Sequence, residues 1–274
     1  MGWIGRKVVW SERCCERCQR IGGDVLVRER ISFDEIDIES PSFLASSKES
    51  DRDISESLFI EKKVVTNDQI RFIKGSGVDL KTYAYTPEPV SDKIRILFTA
   101  RMVEEKGVWV LVDAAEALRE EYEGRVCFLL CGGLSSNPKA IKKEELNGRC
   151  DGNYIQWLGY RSDVPDLLRS SHIVAFPSYY REGVPKSLIE ATAIGRPIVT
   201  TDSIGCKDTV EDGMNGFLVP IKESKTLAEK LRILLDDADL RKRMGLHSRQ
   251  IAERDFSLED VIAKHLAIYE EGSH

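Results

Sequence analysis

Apolar residues in the second half of the chain occur in short runs that alternate with longer helical patterns. Apolar positions three or four residues apart predict helices after these runs and over 224–236, 238–253 and 257–271. The run RVCFLLC is almost continuously apolar, as expected for a parallel strand covered by helices on both faces. The alternation predicts an α/β fold with a doubly wound parallel sheet. The predicted strands are 94–100, 125–131, 155–158, 173–176, 197–200 and 216–219.

The pattern before residue 93 is weaker. The runs 25–27 and 70–73 are candidate strands, and 40–57 is rich in Ser, Asp and Glu, which predicts a loop or a weak helix. Pro87 and Pro89 in the sequence TPEPVSD predict an extended linker. We therefore expect a short N-terminal segment with its linker over 1–92 and a Rossmann-like domain with C-terminal helices over 93–274.

The composition is that of a globular protein, with 42% hydrophobic and 31% charged residues. The net charge of −6 argues against a nucleic-acid-binding protein, although a local phosphate site needs only a few cations. The sequence has no apolar run near the roughly 20 residues of a membrane span and no secretory signal at 1–10. A cytoplasmic protein is expected, with attachment to the inner face of the membrane left open.

Seven cysteines are present, and those inside the predicted strand 125–131 indicate reduced, buried thiols. Cys14, Cys15 and Cys18 are clustered, but no second CxxC or HxxxH pair follows to complete a zinc site. We therefore favour incidental thiols over a metal site for this cluster.

Ligands of doubly wound sheets bind beyond the carboxyl ends of the strands. Arg101 and Lys106 follow the first strand of the series in RMVEEKG, and a guanidinium and an ammonium together can neutralise a diphosphate. The alternative is a solvated loop in which these cations pair with Glu104 and Glu105. Considered alone, the motif favours that alternative.

A second motif is SYYREGVPKSLIEATAIG, in which Pro185 suits the first turn of a helix. The free backbone N–H groups of that turn would form an anion site, and Gly183 would let a ligand approach the backbone. Glu190 has apolar neighbours, so its carboxylate needs a partner, and two ribose hydroxyls would suit. The alternative, an i,i+4 pair with Lys186, has the weaker orientation, so a binding role is favoured.

Weaker signals follow two other strands. Gly133 ends the CGG turn after 125–131, and Tyr160 with Arg161 follows 155–158, where Asp163 is a plausible helix cap. Such turns are common in α/β proteins, so alone they indicate little.

Together these motifs resemble the GT4 family of retaining glycosyltransferases, most closely the enzymes that build bacterial capsular, O-antigen or lipid-linked glycans. The similarity covers about residues 68–271 and rests on RMVEEKG, GYRSDVPDLL and the Glu182-x7-Glu190 spacing. It implies a GT-B fold with the nucleotide-sugar donor in the C-terminal domain and neither an essential metal nor a cofactor.

The resemblance also implies roles for individual residues. Arg101 and Lys106 would bind the donor diphosphate and stabilise the leaving nucleotide, and Glu182 would contact the donor sugar. Glu190 would take the ribose hydroxyls. Backbone around Gly183 and Val184 would support the sugar and phosphate, and the Tyr160–Arg161 segment would meet the base. Gly133 and Pro185 complete the donor-binding positions.

The expected function is transfer of a sugar from a nucleotide-sugar donor, expected to be a UDP-sugar, to a glycan or lipid-linked acceptor. The family's N-terminal domain needs about 150 residues, whereas about 67 precede the similar region here, and no histidine precedes His172. We therefore expect an incomplete acceptor portion, and a homodimer or a partner chain is left open. The alternative is a non-catalytic nucleotide-sugar-binding module that needs a separate acceptor-binding chain. A dehydrogenase is disfavoured because no G-x-G-x-x-G opens a helix.

Overall fold

The structure is a computed structural model that describes residues 19–21, 25–27, 70–135, 140–180 and 182–271. Lys74–Val261 form one compact unit, and a second unit comprises Met1–Ile73 with Ile262–His274. The predicted loop at 40–57 and the cysteine cluster at 14–18 lie outside the described residues. The predicted division into 1–92 and 93–274 stays a prediction.

The second unit contains a small antiparallel sheet in its described part. β1 (Gln19–Ile21) pairs with β2 (Val25–Val27), which pairs with β3 (Ile70–Phe72). The predicted strand 25–27 is confirmed, and 70–73 is confirmed to within one residue. β1 was not predicted, because QRI lacks an apolar pattern.

The Lys74–Val261 unit contains a parallel sheet whose six strands alternate with helices, as predicted. The strands are β4 (Ile94–Thr99), β5 (Val126–Cys131), β6 (Ile155–Gly159), β7 (Ile173–Phe176), β8 (Ile198–Thr201) and β9 (Gly216–Val219). The helices that begin in this unit are α1 (Val108–Tyr122), α2 (Lys143–Arg149), α3 (Val164–Ser170), α4 (Lys186–Ile194), α5 (Ser224–Asp236), α6 (Ala238–Asp255) and α7 (Leu258–Glu271).

The strand order is β6-β5-β4-β7-β8-β9, and every pairing is parallel. The chain moves outward from β4 to β6 and then returns to the other side of β4 with β7. The loops after β4 and β7 therefore diverge at a topological switch point, where doubly wound sheets bind ligands.

Helices cover the sheet, and the core lies between them. Every residue of β5 is buried, as the continuous apolar run predicted. The apolar positions predicted for α1 lie on its buried side, where α1 packs against α5, and α4 packs against α6. Within the described residues, no helix combines the length and the apolar character needed to cross a bilayer.

The predicted linker is neither helix nor strand, and a buried arginine fixes it to the domain. Arg196 is 1% exposed, and its guanidinium donates to the carbonyls of Thr86 and Pro87 as well as to carbonyls of α3. Burial lowers the pKa of Arg196 to about 10. Glu88 accepts a 2.6 Å ion pair from Arg241 of α6. Segment 86–88 is thus held against the amino ends of the central strands.

Candidate functional site

The loops after β4, β5 and β6 are in close backbone contact. A Cβ at Gly132 would lie 1.6 Å from the carbonyl oxygen of Ala100, so a side chain cannot be accommodated there. Met102 N donates to Gly133 O at 2.9 Å, and Gly132 N donates to Gly159 O at 2.8 Å. Gly133 itself has room for a Cβ, whose nearest neighbour would be Tyr160 Cβ at 3.5 Å. The CGG turn therefore brings these three strand ends together.

A glycine also lets the loops after β4 and β7 meet. Gly107 has φ 81°, and a Cβ there would lie 2.0 Å from Pro177 O. Tyr179 N donates to Glu105 O at 2.9 Å, which fixes the register of the two loops. Gly107 is the N-cap of α1, and Glu104–Lys106 form a 3-10 turn before it.

This contact brings Lys106 to Glu182. The ammonium of Lys106 forms a salt bridge with Glu182 Oε1, and the side chains are 8% and 27% exposed. Lys106 Nζ also lies 4.8 Å from the centroid of the Tyr180 ring and 5.7 Å from that of Phe176. Lys106 therefore pairs with Glu182 rather than with Glu104 or Glu105, the alternative that the sequence left open. The two residues predicted to hold diphosphate and sugar lie side by side at the switch point.

The N-terminus of α4 opens next to this pair. Pro185 is the N-cap, one position before the predicted first turn, and Val184 is buried. A Cβ at Gly205 would lie 2.3 Å from Gly183 O, so the loop after β8 packs tightly against the Glu182–Gly183 turn. The first N–H groups of a helix lack intrahelical acceptors and carry positive partial charge. The site thus combines these donors with the Lys106 ammonium.

Glu190, in the middle of α4, is 8% exposed. Its Oε1 accepts a 2.8 Å hydrogen bond from the Tyr83 hydroxyl, a partner that sequence reasoning missed. Burial raises the pKa of Glu190, whereas the Tyr83 hydrogen bond and, after it, the charge of Lys186 lower that pKa. Lys186 is exposed, so the closest partner of Glu190 in the described structure is Tyr83 rather than the i,i+4 lysine.

The remaining predicted side chains, at the ends of β4 and β6, are more exposed than those of Lys106 and Glu190. Arg101 lies two residues after the end of β4 and is exposed, and Tyr160 is 81% exposed after β6. Arg161 forms a salt bridge with Asp163 and lines a groove of about 680 Å³ along the sheet. Asp163 is the N-cap residue of α3 as expected, but its carboxylate binds Arg161 instead of the helix backbone. Among the described residues, no hydrogen bond or ion pair joins Arg101 or Arg161 to the Lys106–Glu182 pair.

The side chains at these strand ends offer cations and carboxylates, and the backbone at the start of α4 offers N–H groups. Among the residues that the structure describes, no three His, Cys, Asp or Glu side chains are grouped so that they could hold a metal ion. The Lys106 ammonium and the N-terminus of α4 can neutralise an anion beside the Glu182 carboxylate.

Comparison with known proteins identifies the family of the chain. The profile of a family described as "Glycosyl transferases group 1" matches residues 93–237. Two bacterial relatives are the N,N'-diacetylbacillosaminyl-diphospho-undecaprenol alpha-1,3-N-acetylgalactosaminyltransferase of Campylobacter jejuni and the capsular polysaccharide biosynthesis glycosyltransferase CapM of Staphylococcus aureus. The first is 30% identical over 76% of this chain and 58% of its own length, and the second is 29% identical over 61% and 43%. The chain thus spans about half the length of these relatives.

Solved structures agree with this assignment. A glycosyltransferase from Rickettsia africae superposes with a TM-score of 0.68 and 26% identity, over 80% of this chain and 61% of the other. The C-terminal domain of a group 1 glycosyl transferase from Francisella tularensis superposes with a TM-score of 0.59 and 22% identity. It matches 66% of this chain and 100% of its own length, so it shows the same fold. The chain belongs to the group 1 (GT4) glycosyltransferases, resembles their bacterial capsular and lipid-linked-glycan members, and carries the C-terminal domain fold of GT-B proteins.

Proposed function

We propose that this chain binds a UDP-sugar at the carboxyl ends of β4 and β7 and transfers the sugar, with retention, to a glycan or lipid-linked acceptor. The observation that carries the proposal is the Lys106–Glu182 salt bridge beside the N-terminus of α4 at the switch point of the sheet. Uridine is chosen because an Anabaena protein with this fold was crystallised with UDP. The acceptor class follows from the names of the Campylobacter and Staphylococcus relatives.

The chemistry of the reaction explains why such a site suits a diphosphate leaving group. As the glycosidic bond of the donor breaks, negative charge develops on the β-phosphate. Lys106, which is 7% exposed, and the first N–H groups of α4 are fixed before the reaction, so they stabilise this charge as it forms. Arg101, on the same strand end as Lys106, adds a second cation at the exposed side of the diphosphate.

Glu182 would contact the donor sugar. In the free site its carboxylate neutralises Lys106, so the diphosphate must replace Glu182 as the partner of the ammonium or share the ammonium with it. Glu182 would then be available to accept hydrogen bonds from sugar hydroxyls. The backbone of Gly183, Val184 and Pro185 would lie along the sugar and phosphates, and Gly133 and the Tyr160–Arg161 turn would lie near the base.

A transfer assay tests this proposal. The full chain is incubated with radiolabelled UDP-, GDP- and ADP-sugars and with free-sugar or diphospholipid-linked acceptors, and water-only reactions serve as controls. We expect acceptor-dependent product from a UDP-sugar, with the anomeric configuration of the donor kept in the product NMR spectrum. Nucleotide binding without acceptor-dependent product would instead favour a non-catalytic nucleotide-sugar-binding module. Inverted product would contradict the retaining mechanism.

A further inference from the structure

Tyr83 lies in the segment before the linker, outside every motif that pointed to the donor site. Its hydroxyl nevertheless reaches 2.8 Å from Glu190 Oε1, across a sequence separation of 107 residues. A phenol donates one hydrogen, whereas an ionised carboxylate has two oxygens and about four acceptor positions. Tyr83 can therefore occupy one oxygen of Glu190 and leave the other for a second donor.

The position of Tyr83 is fixed by its surroundings. Its backbone N–H donates to Asp79 O at 2.9 Å, and its backbone carbonyl accepts from Arg249 of α6 at 3.0 Å. The same Arg249 nitrogen donates to Ala193 O of α4 at 2.8 Å, so one guanidinium joins the tyrosine segment to the helix that carries Glu190. The Tyr83 ring packs against both apolar clusters of the domain. The hydroxyl is thus held in place before any ligand arrives.

Tyr83 also remains a donor throughout the ordinary pH range. Burial and the nearby charge of Glu190 raise the pKa of the Tyr83 phenol, and Arg169 of α3 only partly opposes them. The phenol therefore stays protonated and its single hydrogen stays directed at Glu190.

We propose that Tyr83 is a positioning residue of the donor site: it holds Oε1 of Glu190 and directs the second carboxylate oxygen towards the ribose hydroxyls of the nucleotide. The inference rests on the proposed function, because it requires that Glu190 bind ribose. It gives the segment before the linker a part in nucleotide recognition.

The hydrogen bond from Tyr83 to Glu190 affects how nucleotide binding depends on pH. Charged and titratable groups around Glu190 and Tyr83 are Lys186 on α4, Arg169 on α3 and Arg249 on α6. The Tyr83 hydrogen bond is the strongest of the influences that lower the pKa of Glu190, and Lys186 comes second. Without Tyr83 the burial of Glu190 is less opposed, so its pKa rises further. The ionised carboxylate that accepts two ribose hydroxyls is then formed only at higher pH.

The test is calorimetric titration of the full-length chain with UDP at about pH 5.5 and about pH 8. Wild type is compared with Tyr83→Phe and Glu190→Gln. The matched control is Tyr122→Phe, since the Tyr122 hydroxyl makes a similar 2.9 Å bond to Asp236 Oδ1 on α5. The ratio of variant to wild-type Kd is taken at each pH, so that the ionisation of UDP itself cancels.

For Tyr83→Phe we expect UDP to bind about 10-fold more weakly than to wild type at about pH 5.5, and under about 3-fold more weakly at about pH 8. Tyr122→Phe should change neither ratio. Glu190→Gln should weaken UDP binding at both pH values. Its Kd ratio to wild type should not show the pH difference expected for Tyr83→Phe. If Tyr83→Phe matches wild type at both pH values while Glu190→Gln weakens binding, Tyr83 does not position Glu190. Equal loss at both pH values also overturns the proposal. If wild type binds no UDP, the proposed function itself fails.

Discussion

Replacing Lys106 by Met removes the buried cation of the proposed donor site while nearly keeping its side-chain length. The Lys106 side chain is 8% exposed, so solvent screens its charge little. A hydrogen bond to a charged group contributes about 1.5–3 kcal/mol, which corresponds to a factor of about 10–150 in Kd. The Glu182 salt bridge competes with the diphosphate, so the lower part of that range applies. We expect UDP to bind about 10–30-fold more weakly and uridine under about 3-fold more weakly.

Glu182→Gln is the complementary change and has the opposite sign. Removing the carboxylate leaves the Lys106 ammonium without its competing partner, so we expect UDP to bind up to about 5-fold more tightly. A UDP-sugar should lose that gain, because Glu182 would also contact the sugar.

Isothermal titration with uridine, UDP and a UDP-sugar measures these effects. Lys230→Met is the matched control, because Lys230 Nζ also lies 4.8 Å from an aromatic centroid, that of Phe217, and is on α5 away from the site. Circular dichroism melts check that each variant is folded. The reasoning is refuted if Lys106→Met weakens uridine as much as UDP, or if it changes UDP no more than Lys230→Met does.

Three further predictions concern the scaffold of the site. Gly132→Ala should lower the melting temperature by several degrees because its Cβ would overlap a backbone carbonyl, whereas Gly133→Ala should be tolerated; differential scanning calorimetry compares them. Arg196→Ala leaves several buried carbonyls without a donor, so the free energy of unfolding measured in urea should fall by at least about 3 kcal/mol. Arg232→Ala, at an exposed salt bridge, should change that free energy little. Burial lowers the pKa of His172 from the ordinary value of about 6.5 to about 4. The free energy of unfolding that neutral His172 contributes is therefore present above about pH 6.5 and is lost as the pH falls towards 4. Urea titrations of wild type and His172→Asn should show that the variant loses less stability over this interval.

The sequence predicted the architecture well because its strands are nearly continuous apolar runs. Strands β7 and β9 coincide with the predicted 173–176 and 216–219, and the other four predicted strands of the large sheet differ by one residue at one or both ends. Helix α5 coincides with the predicted 224–236, and α6 extends two residues beyond the predicted 238–253. Periodicity reports which face is buried, and in this domain burial decides where each element lies.

Contacts between distant segments could not be predicted in the same way. The Tyr83–Glu190 hydrogen bond joins residues 107 positions apart, and the Lys106–Glu182 pair joins residues 76 positions apart. In the sequence, the nearest opposite charges to Lys106 and Glu190 are Glu105 and Lys186, so local reasoning offered those as alternatives. The contact of Gly107 with Pro177 and the Tyr179–Glu105 hydrogen bond, both between distant segments, show that the loops after β4 and β7 meet. The donor-binding roles of all the candidate site residues, Lys106, Glu182 and Glu190 as well as Arg101 and Arg161, stay predictions.

The most direct test of the central claim is whether the full chain binds a nucleoside diphosphate at the switch point. Thermal melts are recorded with UDP, GDP, ADP and UDP-sugars, for wild type and for a variant that combines Arg101→Ala and Lys106→Met. A ligand at about 100 times its Kd adds about 2.7 kcal/mol of stability. For a domain of this size we expect UDP to raise the melting temperature of wild type by about 5–10 °C. The double variant should show almost none of this shift. Absence of any shift with every nucleotide at millimolar concentration, or an equal shift in the double variant, would contradict the account.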